Sequence, residues 1–191
     1  MPDSYVVTSG PSVEPLSLSD LKDSIRVNGS DFDTELTQLL TAGRRQLEHD
    51  TKRKLITQTV ENYRDEFPVG DTIELRVSPV SSVVSITYID TSGDSQTLST
   101  DNYHSDTTTT PPRIKLKTGK IWPSTEANTP NAVTITLVAG YGESASDVPA
   151  EARVALTQWI TAEWGGTDCS DSVESYKRLV SALRWSEYHA T

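Results

Sequence analysis

The chain has 191 residues, a formal net charge of −10 and a pI near 4.7, with 35% hydrophobic and 23% charged residues. This is too apolar for a disordered chain, holds no apolar run long enough for a membrane span, and opposes a grip on nucleic-acid backbone, which needs clustered Lys and Arg. The single cysteine, Cys169, excludes an internal disulfide, and no Cys or His pair has the spacing of a zinc site.

Length predicts one compact domain, or one domain carrying a sizeable insertion. The opening MPDSYVVTSGPSVEPLS lacks the basic start and apolar block of a signal peptide, so synthesis in the cytoplasm is expected. Pro2, Pro11 and Pro15 make residues 1–16 read as an extended arm outside the core. Ser17 or Ser19 caps a short helix through about Val27, with Leu18, Leu21 and Ile25 on one face and Asn28-Gly29 ending it. The clearest helix follows, capped by Ser30 or Asp31 and running to about Thr51. Its first turn holds Asp33 and Glu35, and Phe32, Leu36, Leu39, Leu40, Gly43 and Leu47 fall at helical spacing. The basic residues Arg44, Arg45, Lys52 and Arg53 at its end suit the negative pole of the helix dipole.

From Lys54 the period shortens to two, which starts a β region. Strand candidates are Leu55–Tyr63, Thr72–Val77, Val83–Asp90, Gln96–Leu98, Arg113–Lys117 and Ala132–Val138, five or six in all. DTSGD (Asp90–Asp94) reads as a hairpin turn and TTTTPP (Thr107–Pro112) as a mobile loop. Helical spacing returns after Pro149, where Ala152, Ala155, Leu156, Trp159 and Ile160 share a face. Gly165 and Gly166 stop that helix, and a last one runs from about Asp171 to Trp185. The expected fold is α+β: a small α-helical bundle of residues 17–53 and 147–186, an inserted antiparallel β module of residues 54–146, and a flexible tail at 187–191. Net charge alternates in sign along the chain, with positive blocks at residues 44–54 and 105–122. Such alternation would let acidic faces meet basic faces between copies, and ordinary surface scatter also accounts for it.

A catalytic site is not legible. His49, His104 and His189 have no recognisable partner, and there is no GxSxG elbow, HExxH, P-loop or dinucleotide fingerprint. Helix capping or a strand end accounts for the pairs Asp31/Asp33 and Asp65/Glu66, and a tight turn accounts for Gly140-Tyr141-Gly142. The expectation is therefore no enzyme, no catalytic residue, no cofactor and no metal. Among the four tryptophans only Trp122 reads as an exposed aromatic on the β side, which keeps a carbohydrate-binding or receptor-binding module as the alternative, and an unrecognised hydrolase as the second.

Four stretches together carry a family resemblance: LSLSDLKDSIRVNGSDFDTELTQLLTAGRRQLEHDTKRKLITQT; SPVSSVVSITYIDTSGDSQTL; AVTITLVAGYG followed by VPAEARVALTQWITAEW; and SVESYKRLVSALRW. In order and spacing they resemble the head-tail connector proteins of tailed phages, also called adaptor or head-completion proteins, in the branch with a β insertion between its helices. TTTTPP and GGTDCSDS depart from that pattern. The resemblance implies a non-catalytic virion protein of the neck, made in the host cytoplasm and forming a homo-oligomeric ring, a dodecamer, under the portal. Its partners would be the portal protein and a stopper or tail-completion protein, with DNA passing through without specific binding and no membrane involved. Acidity suits a conduit that does not hold phosphate. Charge pattern makes Arg44, Arg45 and Arg53 candidates for a contact with an acidic neighbour, and Arg184, Trp185 and Tyr188 are candidates for a subunit or portal contact at the chain's end.

Overall fold

The computed structural model describes residues 4–165 and 169–184. It is an α+β fold with two compact units, one of Met1–Gly10 and Thr57–Gly140, the other of Pro11–Ile56 and Tyr141–Thr191.

The first unit is built of antiparallel strands. A five-stranded sheet contains β1 (Ser4–Ser9), β2 (Gln58–Arg64), β4 (Val80–Ile89), β5 (Ser95–Thr97) and β8 (Val133–Ala139), in the order β1-β2-β8-β4-β5. A second sheet of three has the order β3-β7-β6, with β3 at Thr72–Glu74, β6 at Tyr103–Asp106 and β7 at Arg113–Leu116. In β8 the period of two is complete: Val133, Ile135, Leu137 and Ala139 are buried while the threonines between them are half-exposed. The β2–β8 register runs from Gln58 opposite Ala139 to Arg64 opposite Val133, and Val60 and Leu137, directly opposite, point into the same core. Ile73, Tyr103 and Ile114 of the smaller sheet join that core, so the two sheets pack on one another. Asp90 fixes the turn between β4 and β5. It accepts from the Gln96 amide and from the Ser92 and Asp94 backbone N–H groups, bonds that hold its carboxyl below the usual range.

The second unit packs four helices: α1 (Leu18–Ile25), α2 (Asp33–Thr51), α3 (Ala150–Gly165) and α4 (Ser170–Leu183). Leu36, Leu40 and Leu47 of α2 meet Ala152, Ala155, Leu156 and Ile160 of α3, with Leu21 from α1 and Tyr176 from α4 closing the core. At Gly43 the side chains of α3 pack directly against the α2 backbone. A Cβ built there would lie 2.7 Å from Leu156 Cδ1 and 2.7 Å from Trp159 Cε3.

Several sequence expectations are corrected. Ser4–Ser9, read as part of an extended arm, is an edge strand paired with β2 with one bulge between Val7 and Ser9, because the prolines flank this segment without interrupting it. The Tyr5 hydroxyl accepts the Arg76 N–H at 2.7 Å and the Asn62 amide donates to the Ser4 carbonyl at 3.2 Å. Eight strands are present among the described residues, where five or six were expected; the other addition is β6, whose YHSD gives little β signal. Helix α1 ends before Asn28-Gly29, with Arg26 in the left-handed region (φ 58°) and its N–H bonded to the Lys22 carbonyl. Helix α2 starts after Ser30 and Asp31, with no side-chain cap. Ser17 does cap α1, its hydroxyl accepting the Asp20 N–H at 3.0 Å.

Overpacking at Gly43 is testable. Gly43→Val should destabilise the helical unit by about 1–3 kcal/mol. Gly43→Ala should cost less, since about 1 kcal/mol of helix propensity is regained. Urea midpoints followed by helix circular dichroism measure both.

Candidate assembly surfaces

The basic end of α2 divides between inside and outside. Helical geometry turns Arg44 onto the face that also carries Glu48, one turn later, and both residues are only 6% exposed. Arg44 Nε donates to Glu14 at 2.7 Å, the Thr41 hydroxyl donates to the same carboxylate at 2.9 Å, and Arg44 Nη1 lies 3.8 Å from Glu48. Glu48 in turn accepts from Lys54 Nζ at 3.2 Å and from the Leu55 N–H at 3.1 Å. Burying a guanidinium and a carboxylate is tolerable only with this degree of pairing. Glu14 had no legible signal in the sequence: a lone carboxylate between two prolines reads as solvated.

Arg53 is half-buried. Its Nε donates to the Leu183 carbonyl at 2.7 Å and its Nη1 to the Tyr141 hydroxyl at 3.2 Å, so it holds the last turn of α4. Arg44 and Arg53, expected to meet a neighbouring subunit, are thus engaged within the helical unit. Arg45 is exposed, its side chain making no hydrogen bond or ion pair to the other described residues. Arg184 is also exposed, just past α4, while Trp185 and Tyr188 lie outside the described residues.

A second polar link joins α2 to α4. The Tyr176 hydroxyl donates to Asp50 at 2.7 Å, with Gln46 and His49 on the same carboxylate at 3.0 and 3.3 Å. Partial burial pushes the Asp50 carboxyl up, but the bonds from Tyr176, Gln46 and His49 outweigh it and hold the group below its usual value. Burial and the charge of Asp50 together push the Tyr176 phenol far up, so it remains a donor.

In the β unit, Trp122 is not the open aromatic that was expected. Phe67 stacks on it with centroids 5.0 Å apart and planes 4° from parallel, and its Nε1–H donates to the Gly70 carbonyl at 2.8 Å. One face of the indole is therefore covered by the protein's own core. The positive block at 105–122 is largely matched internally, since Arg113 pairs with Asp106 at 3.1 Å, Lys115 with Asp71 at 3.5 Å, and Lys117 donates to the Thr100 carbonyl. Asp65 and Glu66 line an open cleft of about 520 Å³ with Glu126, where Asp65 accepts the Asn131 N–H and Glu126 the Thr129 hydroxyl. Among the described residues no group of three or more His, Cys, Asp and Glu side chains is placed to hold a metal ion, and no helix is long and apolar enough to cross a membrane. The exposed apolar side chains of this unit are Val6, Val7, Val69, Val84 and Ile121.

No family model matches the sequence, and no curated protein matches it. Solved structures do. A chain in the neck of an empty GTA particle computed with C6 symmetry superposes with a TM-score of 0.80 at 18% identity, over 98% of this chain and 98% of that one. A chain from the virion of the native gene transfer agent (GTA) particle gives 0.77 at 19% identity, again over 98% of both. A third, from the neck of the native GTA particle computed with C12 symmetry, gives 0.74 at 19% over 97% of this chain and 98% of that one. The chain has their fold. At this identity few side chains are shared, so the surfaces are judged from the residues present here.

Two expectations follow from the polar links. Arg44→Ala, which removes the buried cation from between Glu14 and Glu48, should cost the helical unit about 3 kcal/mol, whereas Arg45→Ala should stay within about 0.5 kcal/mol, both read from urea titrations. Asp50 has a folded-state pKa below its unfolded value, so its contribution is complete above the unfolded value and is lost as pH falls through the folded one. The stability advantage of the wild type over Asp50→Asn should therefore be constant near neutrality and shrink once pH falls below about 4.

Proposed function

We propose that this chain is a non-enzymatic structural protein in the neck of a tailed phage or phage-like particle, where copies of it form a ring adaptor. The observation that carries this reading is the end-to-end likeness to a neck chain, 98% of each partner at a TM-score of 0.80. The C6 and C12 symmetries of the similar necks support a homo-oligomeric ring, of which a dodecamer is the expected form.

In this reading the ring sits between the portal protein and a stopper or tail-completion protein and surrounds the DNA path. The charge of −10 supports that place, because a channel wall that repels phosphate leaves the passing duplex mobile. Arg45 and Arg184, with exposed cationic groups, are the proposed points of contact with an acidic neighbour or the portal, and Trp185 and Tyr188 extend that contact. Arg44 and Arg53 act indirectly, by fixing the helices that present Arg45 and Arg184.

Electron microscopy of the purified chain mixed with its portal protein tests the reading. Closed rings coaxial with the portal are expected, and Arg45→Glu with Arg184→Glu should reduce their occupancy while the monomer keeps its circular dichroism. A chain that forms no ring and leaves the portal bare would overturn the proposal.

A further inference from the structure

Edges of β-sheets present unpaired backbone groups, and proteins usually guard them with charges or keep them short. Most edges of the β unit follow that rule. Strand β3 ends in Glu74, β6 ends in Asp106, and β5 is three residues long. Two edges do not. Strand β1, SYVVTS, is six residues without a charge, and its Val6 and Val7 are 45% and 41% exposed. On the opposite border, β5 pairs only with Thr87–Ile89 of β4, with one further bond from the Leu98 N–H to the Ile86 carbonyl. The first part of β4, Val80–Ser85, has no strand on that side among the described residues. It too is uncharged, and bulges against β8 leave Val84 without a residue opposite and 57% exposed.

From these two borders we infer that β1 of one copy adds to the free half of β4 of the next, so that the five-stranded sheet continues from subunit to subunit. This rests on the ring reading above and names its contact. The occupant is a second copy for three reasons. Strand β1 runs antiparallel to β2, β2 to β8, and β8 to β4, so β1 and β4 point in opposite directions. An operation that carries the sheet sideways without turning it over therefore brings β1 beside β4 in the antiparallel sense. The two edges lie on opposite borders of one sheet, which makes the contact heterologous, as a ring requires; β1 against β1 would stop at a dimer. Finally, copies carrying −10 each repel one another, and these are long edge segments on which no like charges meet. Backbone hydrogen bonds supply the attraction and the exposed valines the apolar contact.

The test uses the full chain in a Cys169→Ser background. Val7→Cys with Val84→Cys, treated with a short bismaleimide, should give a ladder of covalent oligomers on a denaturing gel, while either cysteine alone gives monomer. Val7→Lys and Val84→Lys should each raise the concentration needed for ring formation by about tenfold or more, and Val7→Lys combined with Val84→Glu should restore it. Rings of normal mass that neither cross-link nor respond to lysine would overturn this contact while leaving the ring reading intact. Dimers from Val7→Cys alone would overturn it in favour of an isologous contact. Loss of portal binding with unchanged rings would assign the edge to another partner and also overturn it. A wild-type chain that forms no ring alone or on its portal would remove the ring reading itself.

Discussion

A guanidinium that is almost wholly buried has to be surrounded by acceptors, and Arg44 sets that demand for the helical unit. Glu14 comes from the proline-flanked segment ahead of α1, and Glu48 from the next turn of α2. Glu48 then reaches Lys54 and the Leu55 N–H just after the helix. One network thus ties together the segment before the helices, the middle of the longest helix and the residues leading out of it. A hydrophobic contact at the same place would bury area but would not fix those three segments in one relation, because apolar packing is not directional. The specificity comes at a desolvation cost that Leu36, Leu40, Leu47 and Leu156 offset nearby.

What could be read from the sequence was what depends on local periodicity. Helix α2 and the buried face of α3 follow from apolar spacing, the Asp90 turn from its composition, and β8 from a run of alternating β-branched residues. Strand β1 was not legible, since its identity depends on the β2 backbone across a separation of fifty residues or more, and nearby prolines dominate the local signal. The basic end of α2 was legible as a cluster but not as a surface. Sequence places Arg44 and Arg45 side by side, yet the helix separates them by about 100°, enough to put one in the core and one in water. Trp122 failed for a related reason: the ring that covers it, Phe67, lies on a distant loop.

The same separation of inward and outward charge changes how the acidity is understood. Net charge describes the field far from the molecule, whereas association is decided by the charges that meet at contact. In the β unit the cations are mostly answered within the chain, by Asp71, Asp106 and a backbone carbonyl, so they do little to attract another copy. The blocks of alternating sign along the sequence are therefore poor guides to contacts between subunits, because much of the positive charge is already neutralised locally.

If copies assemble as proposed, a charge of −10 on each sets a constraint: the field that would keep DNA from sticking would also keep copies apart. Salt screens charges separated by more than about 10 Å at 0.1 M, so repulsion matters mainly at short range. Short-range repulsion falls where neither surface carries a charge, and β1 and the first half of β4 are such segments. On that argument the uncharged edges and the acidic remainder belong to one arrangement. In the proposed ring the acidic surface would hold off phosphate, and the neutral borders would let subunits approach closely enough for backbone hydrogen bonds, which depend on distance and direction and not on net charge.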